Sequence, residues 1–201
     1  MMKYGFLPSK YNPDNLPIGF TKNKQYMGLT CAACHTQQIK YQSQFIHIDG
    51  GQSMMDLPMF LMDLEVSLQA TLDSAEKYQR FERRVLGDNV SEKQKQTLRQ
   101  EFEQVLLERK EHNIRNHSNQ MYGYSRLDAF GNILNKGLLL TGVKDNFNMA
   151  DAPTSYPYIW DTPQHDYVEW NCSQSNSSVG ALARNIGEVI GVFGDVDAKS
   201  K

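Results

Sequence analysis

No stretch of this chain is apolar for anything like the roughly 20 residues that a membrane-spanning helix needs, so no transmembrane segment is expected. Charge of one sign is lacking too. Lys and Arg number 21 against 23 Asp and Glu, a formal net charge of −2. Binding to nucleic acid or to an anionic membrane surface would want a basic excess, and neither is expected. Internal repeats and low-complexity tracts are absent. The first residues, Met1-Met2-Lys3-Tyr4-Gly5-Phe6-Leu7-Pro8, lack the apolar core and small-residue cleavage site of a secretion signal. Cysteine is scarce: Cys31, Cys34 and Cys172 are the three in 201 residues. A scaffold held by several disulfides is therefore excluded.

Two of those cysteines fall within Cys31-Ala32-Ala33-Cys34-His35. This pattern reads as a covalent attachment site for c-type haem. Thiols three positions apart fit the two vinyl groups on one haem edge, and the adjoining histidine reaches the iron as its proximal ligand. Cys31, Cys34 and His35 are thus the expected cofactor-binding residues for haem c, with His35 the iron ligand. A redox dithiol is an alternative, but it would want a βαβ setting. Half of a zinc site is another, but it would want a second Cys/His pair at short range. If both thiols become thioethers, no intrachain disulfide remains, and Cys172 is expected to be a partly buried, inert thiol. Covalent haem is attached outside the cytoplasm, which implies a periplasmic or secreted protein. Its signal would then have been removed, or the chain is a piece of a longer one.

Along the chain, residues 1–30 are rich in Pro, Gly, Asn and aromatics and read as an irregular arm leading to a short helix that carries His35. Phe45-Ile46-His47-Ile48 suggests an extended stretch, ended by the turn Asp49-Gly50-Gly51. Asp56 is a good N-cap with Pro58 in the first turn. After it, Leu57, Phe60, Leu61, Leu64, Leu68 and Leu72 form one apolar stripe at helical spacing. Tyr78, Phe81 and Val85 continue the helical pattern to Gly87. Ser91 and Gln94 resemble a capping box, opening a helix with Leu98, Phe102, Val105 and Leu106 on one face and a solvated charged face opposite. Further helices are expected over Tyr124–Asn135 and Leu182–Val192. The expected fold class is mainly α. The expected organisation is a single haem domain over 1–201, with a helical insertion at about 57–118 and a loop-rich region at about 141–180. Asn89, Asn116, Asn171 and Asn176 each begin an Asn-x-Ser sequon, which reads as compositional chance.

What the iron does depends on its sixth position. Met54, Met55, Met59, Met62, Met121, Met149, His47, His112, His117 and His165 are the candidate ligands. Met59 and Met62 lie on the apolar stripe and suit core packing better. His112 and His117 sit in a polar stretch and are expected to be exposed. His165, flanked by acids, is a candidate for the haem site or for a structural hydrogen bond. Trp160 and Trp170 fill the core or relay electrons. Arg126 and Arg184 match haem propionates in geometry, or make ordinary ion pairs.

Several runs resemble a known group. Gly28-Leu29-Thr30 precedes the haem motif and Ile48-Asp49-Gly50-Gly51 follows it. Tyr124-Ser125-Arg126-Leu127-Asp128-Ala129-Phe130-Gly131 comes next, then Tyr156-Pro157-Tyr158-Ile159-Trp160-Asp161-Thr162-Pro163-Gln164-His165-Asp166, and finally Ala183-Arg184-Asn185-Ile186-Gly187-Glu188-Val189. Together they resemble the bacterial multi-haem rubber oxygenases, which are similar in turn to the di-haem cytochrome c peroxidases. The resemblance runs from about Asn12 to Gly194. It implies a mostly helical, cytochrome-c-like haem domain with long loops, in a protein with two haems, one reacting with peroxide or dioxygen and one relaying electrons. By position, the haem on His35 corresponds to the reactive one. The chain departs from the group in having no second Cys-x-x-Cys-His; a second haem domain is expected downstream, the alternative being a divergent single-haem form. Candidate catalytic residues are Trp170, His165 and Arg184. The expected function is a c-type haem oxidoreductase using peroxide or dioxygen, with a redox protein or a second haem domain as electron partner. The alternative is an electron-transfer cytochrome with a six-coordinate haem and no substrate of its own.

Overall fold

The Cys-x-x-Cys-His run sits between two hairpins. In this computed structural model, which describes residues 1–23, 26–169, 171–177, 179–192 and 194, β1 (Phe20–Lys22) pairs antiparallel with β2 (Met27–Leu29). A 3-10 turn over Cys31–Ala33 follows at once. The chain then enters β3 (Thr36–Tyr41), which pairs antiparallel with β4 (Gln44–Asp49), Thr36 opposite Asp49 and Tyr41 opposite Gln44. The two-residue loop between them, Gln42-Ser43, has φ of 43° and 68°. That left-handed pair suits a tight hairpin, whose strands twist to the right.

The chain divides into two compact units, Met1–Leu57 with Ser118 onward, and Pro58–His117. The second unit is helical. It holds all but the first residue of α1 (Leu57–Leu72), together with α2 (Ala75–Leu86) and α3 (Glu92–Arg115). Ser74 caps α2 by accepting from the Lys77 N–H, and Gly87 ends it at φ 85°. α3 opens with a full capping box between Ser91 and Gln94. Phe102 meets Phe81 edge-on at 4.9 Å and Tyr78 at 5.7 Å, and Leu106 and His112 are buried with it. His112 is therefore not the exposed residue its polar surroundings suggest. Asn113 and Asn116 lie within hydrogen-bond reach of its ring.

The first unit is mixed. Besides the two hairpins it has β5 (Arg126–Leu127) paired with β6 (Thr154–Ser155), β7 (Tyr167–Val168) paired with β8 (Gln174–Ser175), and the helices α4 (Ala129–Thr141) and α5 (Val179–Val192). Its core gathers Tyr4, Phe6, Phe20, Ala33, Met55, Leu57, Leu127, Ala150, Tyr156, Val168 and Val192. α4 and α5 pack together where Ile133 meets Gly191; a Cβ at Gly191 would lie 2.0 Å from the Ile133 Cγ1.

The expectation of a mainly α, cytochrome-c-like domain is corrected by these elements. Among the described residues the fold is mixed, five α-helices with four two-stranded antiparallel sheets, and nothing in it marks a cytochrome c fold. The motif that was expected on a short helix lies on a single 3-10 turn, with His35 just before a strand. The physical reason is hydrogen bonding. The His35 carbonyl accepts from Gly50 N–H at 2.9 Å and the Cys34 carbonyl from Ser53 N–H at 2.9 Å. A helix would have used those carbonyls itself.

Candidate functional site

The turn that carries the motif is seated on Gly19. Its carbonyl accepts both the backbone N–H (2.7 Å) and the hydroxyl (3.2 Å) of Thr30. Gly19 has φ +84°, and a Cβ there would stand 2.1 Å from the Ala33 nitrogen. Only glycine permits both that conformation and that approach. Within the turn, the N–H groups of Cys34 and His35 both donate to the Cys31 carbonyl, at 3.2 and 2.9 Å. Gly50 ties the far side. Besides binding the His35 carbonyl, its own carbonyl accepts from Ile159 N–H at 2.9 Å. This draws the Tyr156–Trp160 segment alongside the histidine.

There the His35 Nδ1 lies 2.9 Å from the Pro157 carbonyl oxygen. A carbonyl only accepts, so Nδ1 carries the proton and donates. The lone pair is thereby left on Nε2. The Tyr156 ring stands edge-on to the imidazole at 6.4 Å. Burial holds the His35 pKa below its ordinary value, an effect that the Pro157 hydrogen bond partly offsets. The ring is therefore neutral at physiological pH, the form that binds a metal. Metal-binding histidines commonly donate their second ring N–H in this way, which fixes both tautomer and orientation.

Cys31 is exposed and Cys34 half-buried, and both are free thiols. Burial pushes the Cys34 thiol up to about 12, with Glu188 and Cys31 adding to the effect. A redox dithiol attacks through one thiolate of depressed pKa, and Cys34, shifted upward, is not that one. A zinc site needs a second pair of ligands, and among the described residues no group of three or more His, Cys, Asp or Glu side chains is placed to hold a metal ion. A haem thioether needs neither a thiolate at rest nor further protein ligands at the sulfur.

A second set of polar groups bears on Cys34. Glu188 lies on α5 and Glu169 directly after β7, at φ +62°. Burial, then the neighbouring Glu169, raises the Glu188 pKa to about 7. Burial likewise raises that of Glu169, against the pull of Arg184. Arg184 stands one helical turn before Glu188. Its Nε lies 3.3 Å from the Asn185 Oδ1, while its buried Nη1 has no hydrogen-bond partner among the described residues.

Of the candidate catalytic residues, Arg184 bears electrostatically on Glu169 and Glu188. His165 is half-exposed, its Nε2 3.4 Å from the Asp161 carboxylate, and its carbonyl accepts from the Asn176 side chain; it belongs to a turn. Trp170 lies outside the described residues. Arg126 is exposed on β5. Cys172 is exposed rather than partly buried. Among the proposed sixth ligands, His47 accepts from the Gln38 amide across the β3–β4 hairpin at 2.7 Å, and Met55 is wholly sealed in the core. Met54, Met62, Met121 and Met149 are exposed. Pro157, Tyr156 and Glu188 stand in runs that carry the resemblance but, like Glu169, were given no role at the site from sequence. The i,i+4 spacing of Arg184 and Glu188 in an otherwise apolar helix is the signal that would have marked that pair.

No protein-family model matches the chain, and no solved structure matches it. It is 33% identical over 177 residues to an uncharacterized protein, y4iJ, of Sinorhizobium fredii (strain NBRC 101917 / NGR234), a match that takes in 83% of this chain. The chain spans 28% of that relative's length. Among the described residues, no helix is long and apolar enough to cross a membrane.

Proposed function

We propose that this chain is a c-type haem protein, with haem held covalently by Cys31 and Cys34 and its iron ligated by His35, and that it acts as an oxidoreductase on peroxide or dioxygen. The observation that carries the proposal is the Nδ1–H donation of His35 to the Pro157 carbonyl. It leaves Nε2 bare on a ring fixed from its other side. Cys31 and Cys34 would hold the haem as thioethers, each S–H adding across one vinyl double bond, an addition in which nothing is oxidised and no proton is left over. When bound, the haem supplies the one-electron and dioxygen or peroxide chemistry that side chains lack.

The chain's own residues do the rest. Pro157 orients His35, and its hydrogen bond raises the basicity of the imidazole. Gly19 and Gly50 hold the backbone on either side of the motif. The similarity to rubber oxygenases and di-haem peroxidases supports this reading of the chemistry, not of the fold. A second haem domain or a separate redox protein is the proposed electron partner, and the proposed location is periplasmic or extracellular.

One feature favours the alternative, an electron-relay cytochrome. Tyr158 and Trp160 stack at 4.5 Å with 22° between their planes, both about half exposed, next to Pro157. That places an aromatic pair between the surface and the residue that holds His35.

The test is expression with periplasmic haem-attachment machinery, followed by intact mass and optical spectra. We expect one haem per chain, lost as covalent adduct in the Cys31→Ser, Cys34→Ser double variant. Carbon monoxide binding by the reduced protein supports the oxidoreductase. A low-spin spectrum indifferent to carbon monoxide supports the relay. A chain without haem overturns both.

A further inference from the structure

Tyr156-Pro157-Tyr158-Ile159-Trp160 sets three aromatic side chains around the carbonyl that holds His35, and the fold treats them differently. Tyr156 is buried, its ring edge-on to the imidazole at 6.4 Å. Tyr158 and Trp160 turn outward, 52% and 53% exposed, and stack on each other at 4.5 Å with 22° between their planes. The stacked pair is fastened to the motif at two points. One is the Pro157 carbonyl, which lies 2.9 Å from His35 Nδ1 and is bonded directly to the Tyr158 nitrogen. The other is Gly50, whose N–H donates to the His35 carbonyl and whose carbonyl accepts from Ile159 N–H, both at 2.9 Å. Trp160 packs so closely on Gly50 that a Cβ there would stand 3.0 Å from the Trp160 nitrogen and 3.3 Å from its Cβ. One hydrogen bond and a few covalent bonds therefore separate the imidazole from two electron-rich rings at the surface.

Phenol and indole rings yield one electron more readily than other aromatic side chains, and the oxidised ring then sheds its O–H or N–H proton. Solvent takes that proton from Tyr158 and Trp160, whose polar atoms are donors on half-exposed rings. Tyr156 lacks this outlet, and burial pushes its phenol pKa up. Exposure thus selects the outer pair over the ring beside His35.

We propose that the Tyr158–Trp160 pair is a surface oxidation site for phenols, an inference that rests on the haem reading of Cys31, Cys34 and His35 with peroxide as the oxidant. The donor must return both an electron and a proton, and it meets exposed aromatic faces on which a flat ring stacks. A phenol meets both requirements without entering the haem site. One peroxide takes up two electrons and two protons and becomes two waters. Each electron leaves the pair, which becomes a neutral radical as its proton goes to solvent. A phenol then returns one electron and one proton and becomes a phenoxyl radical. After two rounds one peroxide is reduced, two phenols are oxidised and the pair is as it began. Bound haem supplies the one-electron chemistry between rounds.

The experiment is freeze-quench electron paramagnetic resonance of the haem-bearing protein mixed with hydrogen peroxide. It compares the wild type with the Tyr158→Phe, Trp160→Phe double variant, which keeps two rings in the stack. The wild type is expected to show an organic radical that decays faster when tyramine is added, and the double variant to lose it. Tyramine coupled to dextran, held outside the haem site by its polymer, is expected to cross-link with the wild type and not with the double variant. A radical that persists unchanged in the double variant overturns the proposal and assigns the oxidation to another ring. So does dextran-linked tyramine that cross-links equally well with both proteins, or with neither. Haem attachment, by mass, and the optical response to peroxide are read on the same samples. Haem that reacts with peroxide without a radical on the pair overturns this inference alone. Protein that never acquires haem, or haem that peroxide leaves unchanged, overturns the peroxide reading and this inference with it.

Discussion

Gly19 supports the motif at a point where no side chain fits. With φ +84° and the Ala33 nitrogen 2.1 Å from where a Cβ would stand, Gly19→Ala brings both backbone strain and a clash with main chain. Left-handed backbone costs a non-glycine residue about 1–2 kcal/mol, and overpacking about 1–3 kcal/mol. We expect Gly19→Ala to lose roughly 2–4 kcal/mol in urea unfolding and to lower haem incorporation. An unchanged midpoint would show that the turn does not depend on this seat. At this scale the sequence was readable where chemistry is local. Cys31, Cys34 and His35 stand next to each other, so their spacing carries the haem reading by itself. Pro157 acts through its backbone carbonyl from 122 residues away, and no side-chain pattern announces a carbonyl. The burial of the His112 ring was not foreseen because its neighbours in sequence are polar.

Elements were legible to the degree that their ends are capped by side chains. Ser91 and Gln94 marked the start of α3, and both arms of the capping box are present, Gln94 N–H to Ser91 Oγ at 3.3 Å and Ser91 N–H to Gln94 Oε1 at 2.9 Å. Ser91→Ala should cost about 1 kcal/mol, read as a lower thermal midpoint of the helical signal. Ser91→Asp, which keeps the acceptor, should restore it. α4 was expected from Tyr124 but starts at Ala129. Ser125 takes φ +68°, and Arg126–Leu127 pairs with Thr154–Ser155, a partner too far along the chain to be foreseen. Asp128 is the real cap, accepting from Gly131 N–H at 2.8 Å. β3 was not foreseen, since Thr36-Gln37-Gln38-Ile39-Lys40 is polar on both faces. Its identity comes from β4, with which it pairs over six residues.

On the scale of the whole molecule, the carboxyl pair makes stability depend on pH. Unfolded glutamate loses its proton near pH 4.5, whereas folded Glu188 keeps it to about 7. Between those values the folded state binds more protons, so stability falls as pH rises. His35, whose pKa burial lowers, works against this in the haem-free chain by adding stability as pH rises toward 6.5. The readout is therefore the difference between wild type and Glu188→Gln in urea midpoints at pH 5 and pH 8. We expect Glu188→Gln to gain relative to wild type at pH 8, and equal differences at the two pH values would contradict the assignment. The bond from His35 to Pro157 also sets an order of events in biosynthesis. At about 5–20 residues per second, the ribosome completes Pro157 roughly 6–24 seconds after His35, given the 122 residues between them. Throughout that interval the motif leaves the ribosome with its cysteines present and its imidazole unsteered. On the proposed haem reading, both thiols are thus made well before the carbonyl that orients the iron ligand.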